Sequence, residues 1–201
     1  MTDAAGTVLV ADDDSDMRSL YQCWLAEFDD VRTAADGAEA LRRFDETVDV
    51  VLLDREMPKR NGEAVARELD RREADPAVVM ISSVEPDVDL LDIPVDDYLR
   101  KPVSGETVLE RIERAAVTAA SPPRHRRLVA LDTRRRIVEA AVPRHRLAGD
   151  PNYQRTVDHL ECAGPTLEDA QTSVPAVAGE GGGEPPLAAG SFDRAAREPR
   201  Q

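Results

Sequence analysis

Two hydrophobic rhythms alternate along the first 117 residues. Short apolar runs, rich in β-branched side chains, occupy residues 7–11 (TVLVA), 31–34, 48–54 and 77–82 (AVVMIS). A fifth run opens at Tyr98-Leu99 and reaches Lys101-Pro102. Uninterrupted apolar runs of this length, bounded by turn residues, read as strands buried on both faces. Between them the spacing changes to that of a helix. Met17, Leu20, Tyr21, Trp24, Leu25 and Phe28 form one stripe, Leu41 faces inward within 38–44, and Val65 and Leu69 share a face within 63–72. Ser104 is placed to cap a last helix through residue 116, with Val108, Leu109 and Ile112 inward. Strand and helix in alternation predict βαβ units and a doubly wound five-stranded parallel sheet, an α/β fold. The interval from Ser82 to Tyr98 departs from the rhythm. It holds Pro86, Pro94 and many acids, so its helix is expected to be short or absent.

The chemistry lies where the strands stop. In an open parallel sheet the carboxyl ends of the strands share one rim, which is where such folds place ligands. Here the ends of the first, third, fourth and fifth strands present Asp12 and Asp13, Asp54, Ser82 and Lys101. Clustered carboxylates repel unless a cation joins them. An all-oxygen set without His or Cys selects Mg²⁺, or Mn²⁺, over Zn²⁺. In that setting Asp54 reads as a nucleophile that forms an aspartyl-phosphate, with Lys101 pairing the phosphoryl oxygens and Ser82 donating to another.

The segments VLVADDD, VVLLDREMPKRNG, VVMISS and DDYLRKP, in this order and spacing, make residues 7–117 resemble a response-regulator receiver domain of two-component systems, with its flavodoxin-like fold. The resemblance implies that Asp12 and Asp13 hold Mg²⁺, that Asp54 is the phosphoacceptor, and that Glu56 lends its backbone carbonyl to the metal. It further implies that Ser82 and Tyr98 are the switch residues, that Lys101 contacts the phosphoryl group, and that the Lys101-Pro102 bond is cis. The expected partner is a histidine kinase upstream and an output protein of unknown identity downstream. Phosphoryl acceptance and loss would be self-catalysed, so no conventional enzyme activity is expected. A haloacid-dehalogenase-type phosphatase would need a second Asp two residues after the nucleophile, and that position is Glu56.

Charge divides the chain. Residues 1–120 carry 29 acids against 14 bases, and the remainder 11 against 12, with Lys59 and Lys101 the only lysines. An acidic, lysine-poor surface suits a salt-rich cytoplasm. Cys23 and Cys162 stand at no metal or redox spacing, and Cys23 lies in a helical pattern as a small core or near-surface residue. No run reaches the roughly 18 apolar residues of a membrane span, so a cytoplasmic protein without membrane insertion is expected.

Ser121-Pro122-Pro123 marks a boundary. Residues 124–147 follow with eight Arg and two His against Asp132 and Glu139, interrupted at Pro143. Asp150-Pro151 then reads as a cap with Pro at the first helical position, opening a helix to about Cys162. The stretch is expected to form a small α-helical hairpin, and 124–162 is similar to the HalX domain that follows receivers in haloarchaeal proteins, although Pro143 breaks what that family keeps as one helix. Its arginines leave three readings open: docking onto the acidic half, phosphate contacts in a phosphorylation-dependent DNA-binding regulator, or solvation of a helix face. No helix-turn-helix spacing or zinc ligands support the second. Residues 163–201, with GEGGGEPP, read as a disordered tail.

Overall fold

The computed structural model describes residues 6–164, except residues 73 and 75. The expected tail beyond residue 164 lies outside the described residues. Five strands, β1 (Thr7–Ala11), β2 (Asp30–Ala34), β3 (Val50–Asp54), β4 (Ala77–Ser82) and β5 (Asp97–Arg100), pair in parallel in the order β2-β1-β3-β4-β5. The order reverses direction beside β1, so the carboxyl ends of β1 and β3 flank a crevice.

Side-chain alternation sorts each strand between two cores. Val8, Val10, Val50, Leu52, Val79 and Ile81 face Tyr21 and Leu25 on the α1 side (Ser15–Trp24) and Val108 and Ile112 of α4 (Gly105–Ala119). Leu9, Ala11, Val51, Leu53, Val78 and Met80 face the other way, onto Ala40 of α2 (Gly37–Arg43) and Val65 and Leu69 of α3 (Gly62–Arg71). The central strands are buried on both faces, which is why their sequence reads as continuous apolar runs.

Local capping sets the helix starts. Asp14 accepts from the amides of Asp16 and Met17, Asp36 from Glu39, Asn61 from Ala64, and Ser104 from Thr107. One helix is shorter than its apolar stripe suggests. α1 stops at Trp24, with the Leu25 amide closing the last turn on Tyr21. Phe28 follows in a turn yet still packs on the same core, because β2 begins at Asp30 and the chain must reverse first. Cys23 is exposed.

Between β4 and β5, a single 3₁₀ helix (Val88–Asp92) stands where a full helix would otherwise cross the sheet. The space is taken from beyond the receiver-like part. α5 (Pro123–Ala141), α6 (Arg144–Leu147) and α7 (Pro151–Cys162) pack there, and Val138, Val142 and Leu147 join Leu90, Leu91, Ile93 and Val95 in one buried cluster. Pro143 does interrupt the helix: α5 ends at Ala141, and α6 is a separate short turn. The expected pair of helices is thus three, with α7 capped by Asp150 and opened by Pro151 as the sequence implies. Among the described residues no helix is long and apolar enough to cross a membrane.

Candidate functional site

At the rim of the sheet, Asp12 is 1% exposed and Asp54 is 5% exposed, so both carboxylates are removed from water. Each is satisfied by design of the local backbone. Asp12 accepts from the Asp14 amide at 2.9 Å and Asp54 from the Glu56 amide at 2.8 Å. The remaining oxygens of both point at one cation. Lys101 Nζ donates to Asp12 Oδ2 at 2.8 Å and to Asp54 Oδ1 at 2.7 Å. Lys101 reaches them from the end of β5, where its own amide bonds the Ser82 carbonyl and the Lys101-Pro102 peptide is cis.

Burial lifts the Asp54 carboxyl above its ordinary range, against the pull of Lys101, which favours the anion. Burial also works against the Lys101 ammonium, but the bonds to Asp12 and Asp54 outweigh it and raise its pKa. Beneath them lies Tyr21, fully buried, its hydroxyl without a partner among the described residues and its pKa pushed up to about 12 by burial. Tyr21 meets the Trp24 ring edge-on at a centroid distance of 5.6 Å.

Gly62 lets the loop after β3 close over the site. A Cβ there would stand 2.3 Å from the Asp54 carbonyl oxygen, so only glycine permits this approach. The Gly62 amide bonds the Arg55 carbonyl at 2.9 Å.

The two residues expected to switch hold a single neighbour between them. Ser82, fully buried, accepts from the Val84 amide at 3.0 Å, and the Tyr98 hydroxyl donates to the Val84 carbonyl at 2.6 Å. Val84 is therefore gripped at both of its backbone groups, at the start of the loop leading to the 3₁₀ helix.

Of the residues expected at the metal, Asp12 and Asp54 come together and are buried, Asp13 is exposed, and Glu56 is expected to lend only its backbone carbonyl. Among the described residues no three acidic, His or Cys side chains are grouped as metal ligands. The donor chemistry still suits a hard divalent ion: two buried carboxylates share one ammonium, which leaves a net negative charge among oxygen donors. Arg18 braces the acidic loop through the carbonyls of Asp12 and Asp13, at 2.7 and 3.0 Å.

Sequence reading passed over Arg55. It follows Asp54 directly, is 9% exposed, and binds Glu63 Oε1 through Nε at 2.8 Å. A cation adjoining a fully buried strand end is itself a signal, since it must find acids nearby.

A doubly wound parallel sheet with a buried acid pair and a lysine at its rim places the chain in the flavodoxin-like class of α/β proteins. Comparison with known proteins carries this further. The family model described as "Response regulator receiver domain" matches residues 8–113, just over half of the chain. The chain therefore belongs to the response regulator receiver family. It is 44% identical over 131 residues to a Haloferax volcanii protein named as a candidate transcriptional regulator, covering 65% of this chain and 22% of that one. It is 37% identical over 109 residues to the transcriptional regulatory protein CpxR of Klebsiella pneumoniae, covering 52% and 47%. The chain thus spans less than half the length of either relative. Among solved structures it resembles the Thermotoga maritima response regulator TrrA in complex with Mg(2+)-BeF, at a TM-score of 0.51 and 29% identity over 55% of this chain and 98% of that one.

Proposed function

We propose that this protein is a two-component response regulator that accepts a phosphoryl group on Asp54 from a histidine kinase. The observation that carries the reading is the buried Asp54 carboxylate sharing Lys101 with Asp12 at the rim of a receiver sheet. A carboxylate oxygen of Asp54 attacks phosphorus, the P–N bond to the donor histidine breaks, and its electron pair stays on the imidazole nitrogen. Lys101 keeps Asp54 anionic before attack and afterwards follows the new charge onto a phosphoryl oxygen. Asp12, Asp13, Asp54 and the Glu56 carbonyl would hold Mg²⁺, or Mn²⁺. When bound, the ion neutralises charge on the phosphoryl oxygens.

Ser82 then leaves the Val84 amide for a phosphoryl oxygen, and Tyr98 leaves the Val84 carbonyl. Both bonds that anchor Val84 are lost together. Residues 7–117 act as the receiver and 124–162, HalX-like in sequence, as the segment that reads it. The test is an acid-labile phosphate formed from a phosphohistidine donor or phosphoramidate with Mg²⁺. Formation in the wild type and absence in Asp54→Asn support the reading. Undiminished labelling of the variant contradicts it.

The alternative, in which residues 124–147 bind DNA, draws on relatives named as transcriptional regulators. Much of that basic charge is engaged within the chain. Arg126 pairs with Asp96 at 2.9 Å, Arg134 bonds the Ile93 carbonyl, and Arg135 and Arg136 pair with Asp132 at 2.6 and 2.9 Å. Through Arg126, Arg134 and Arg146, docking on the acidic half is the favoured use, while Arg135 and Arg136 pair within α5. Salt-dependent promoter binding that is lost when Arg124 and Arg127 are changed to Glu would reverse that order.

A further inference from the structure

Arg55 lies between the acceptor and the C-terminal helices. Its backbone continues β3 from Asp54, with its amide on the Ile81 carbonyl at 3.2 Å. Its guanidinium, almost wholly out of water, is fixed on one side by Glu63 of α3 at 2.7 Å. On the other side Nη2 reaches Asp89, on the 3₁₀ helix, 34 residues along the chain. Glu63, the Tyr98 hydroxyl and Asp89 keep the guanidinium charged against the effect of burial. One donor, Nη1, is buried without an acceptor among the described residues. A buried donor left unmatched is a cost that a rearranged loop can relieve.

The same 3₁₀ helix, its N-cap Asp87 and the residue just past its end are also held by the C-terminal helices. Arg146 of α6 binds both oxygens of Asp87, at 2.9 and 3.2 Å. Asn152 of α7 donates to Asp92 Oδ2 at 2.7 Å and to the Val88 carbonyl at 3.4 Å. Arg134 of α5 bonds the Ile93 carbonyl just past its end. Beneath these polar ties, Leu90, Leu91 and Ile93 share a core with Val138, Val142 and Leu147. A five-residue helix is thus tied to the acceptor strand through Asp89 and to α5, α6 and α7 through its neighbours.

We propose that Arg55 is a positioning residue that transmits the state of Asp54 to α6 and α7 through the 3₁₀ helix, making the C-terminal helices the element that responds to phosphorylation. The inference rests on the phosphoacceptor reading above. Two inputs converge on the 3₁₀ helix: release of Val84 by Ser82 and Tyr98 moves the loop entering it, and Arg55 couples Asp89 to the chain segment that carries the phosphoryl group. Because the helix has few residues and no sheet hydrogen bonds, its displacement is passed to the side chains packed on it rather than absorbed.

The experiment is hydrogen exchange followed by mass spectrometry on the full chain, with and without Mg²⁺ and beryllofluoride. The proteins are the wild type, Arg55→Gln, Arg55→Lys and Asp89→Asn. Asp89 is exposed, so its substitution cuts the link without opening the core. In the wild type, exchange is expected to change in peptides from 82–101 and from 144–162. In Arg55→Gln and Asp89→Asn the first response persists and the second falls several-fold, with Arg55→Lys recovering part of it. A wild type that responds at 82–101 and not at 144–162 overturns the proposal. So does a 144–162 response undiminished in both Arg55→Gln and Asp89→Asn. A wild type silent at 82–101 as well takes down the phosphoacceptor reading and this one with it.

Discussion

The rim and the C-terminal clamp are built on opposite principles. At the rim a few polar groups each require the others: remove one and a buried charge is left unmatched. In the clamp many apolar side chains share one core, and the polar ties range from the buried Arg126–Asp96 pair to the exposed Arg146–Asp87 pair at its edge. The lesson is where specificity sits. A polar site is fixed by residue type at particular strand ends, whereas a packed interface is fixed by volume and is tolerant of type.

Substitutions of graded severity can break or sharpen that contrast. The largest loss is expected from Lys101→Ala, which leaves Asp12 and Asp54 buried and facing one another. Urea unfolding at neutral pH should show a deficit of about 3 kcal/mol, since removing one partner of a buried pair strands the other. In Lys101→Ala the cation that favours the Asp54 anion is gone while burial still favours the protonated acid, so protonation of Asp54 relieves the variant more than the wild type. The deficit should therefore shrink as pH falls below neutrality. A deficit independent of pH would mean that carboxylate repulsion is not its source.

A smaller loss is expected in the clamp. Val138→Ala, at a fully buried position, should cost roughly 2 kcal/mol by leaving a cavity shared with Leu90 and Ile93. Unfolding should remain a single transition, because that core belongs to both parts of the chain. Two separated transitions would show that α5–α7 fold independently of the sheet.

Next comes Asp14→Ala, which removes the cap of α1 and should cost about 1 kcal/mol while leaving phosphoryl acceptance intact. Loss of acceptance would assign this third acid a part in the chemistry. Arg146→Ala should cost least, below about 0.5 kcal/mol and falling with added salt, because its pair with Asp87 is more than two-fifths exposed at both ends. A larger, salt-independent loss would place that pair on the side of the rim rather than the clamp.

Most of the rim was legible in the sequence because strand ends are. A buried run that stops at a carboxylate announces its position, and Asp12, Asp54, Ser82 and Lys101 needed only the strand order to bring them together. What the run of acids did not reveal is their unequal burial: Asp12 is buried, while the next residue, Asp13, is exposed as the backbone turns into α1. The clamp was less legible for two reasons. Arginines at 126, 134, 135 and 136 look the same in sequence whether they meet phosphates, a neighbouring Asp or a helix carbonyl. Arg55 and Asp89 are 34 residues apart, so their pairing depends on the short helix that replaces a longer one. The prolines at 86 and 94 predicted that shortening. What fills the space, α5 with Val138 and α6 with Leu147, follows from tertiary packing alone.

The measurement that bears most directly on the account is covalent mapping of the acceptor. The full chain would be incubated with phosphoramidate and Mg²⁺, reduced with borohydride to convert any acyl phosphate to a stable alcohol, and sequenced by mass spectrometry. The account predicts reduction at Asp54, dependent on donor and Mg²⁺ and strongly diminished in Lys101→Ala. Reduction at another carboxylate, or none in a chain shown to be folded, would contradict it.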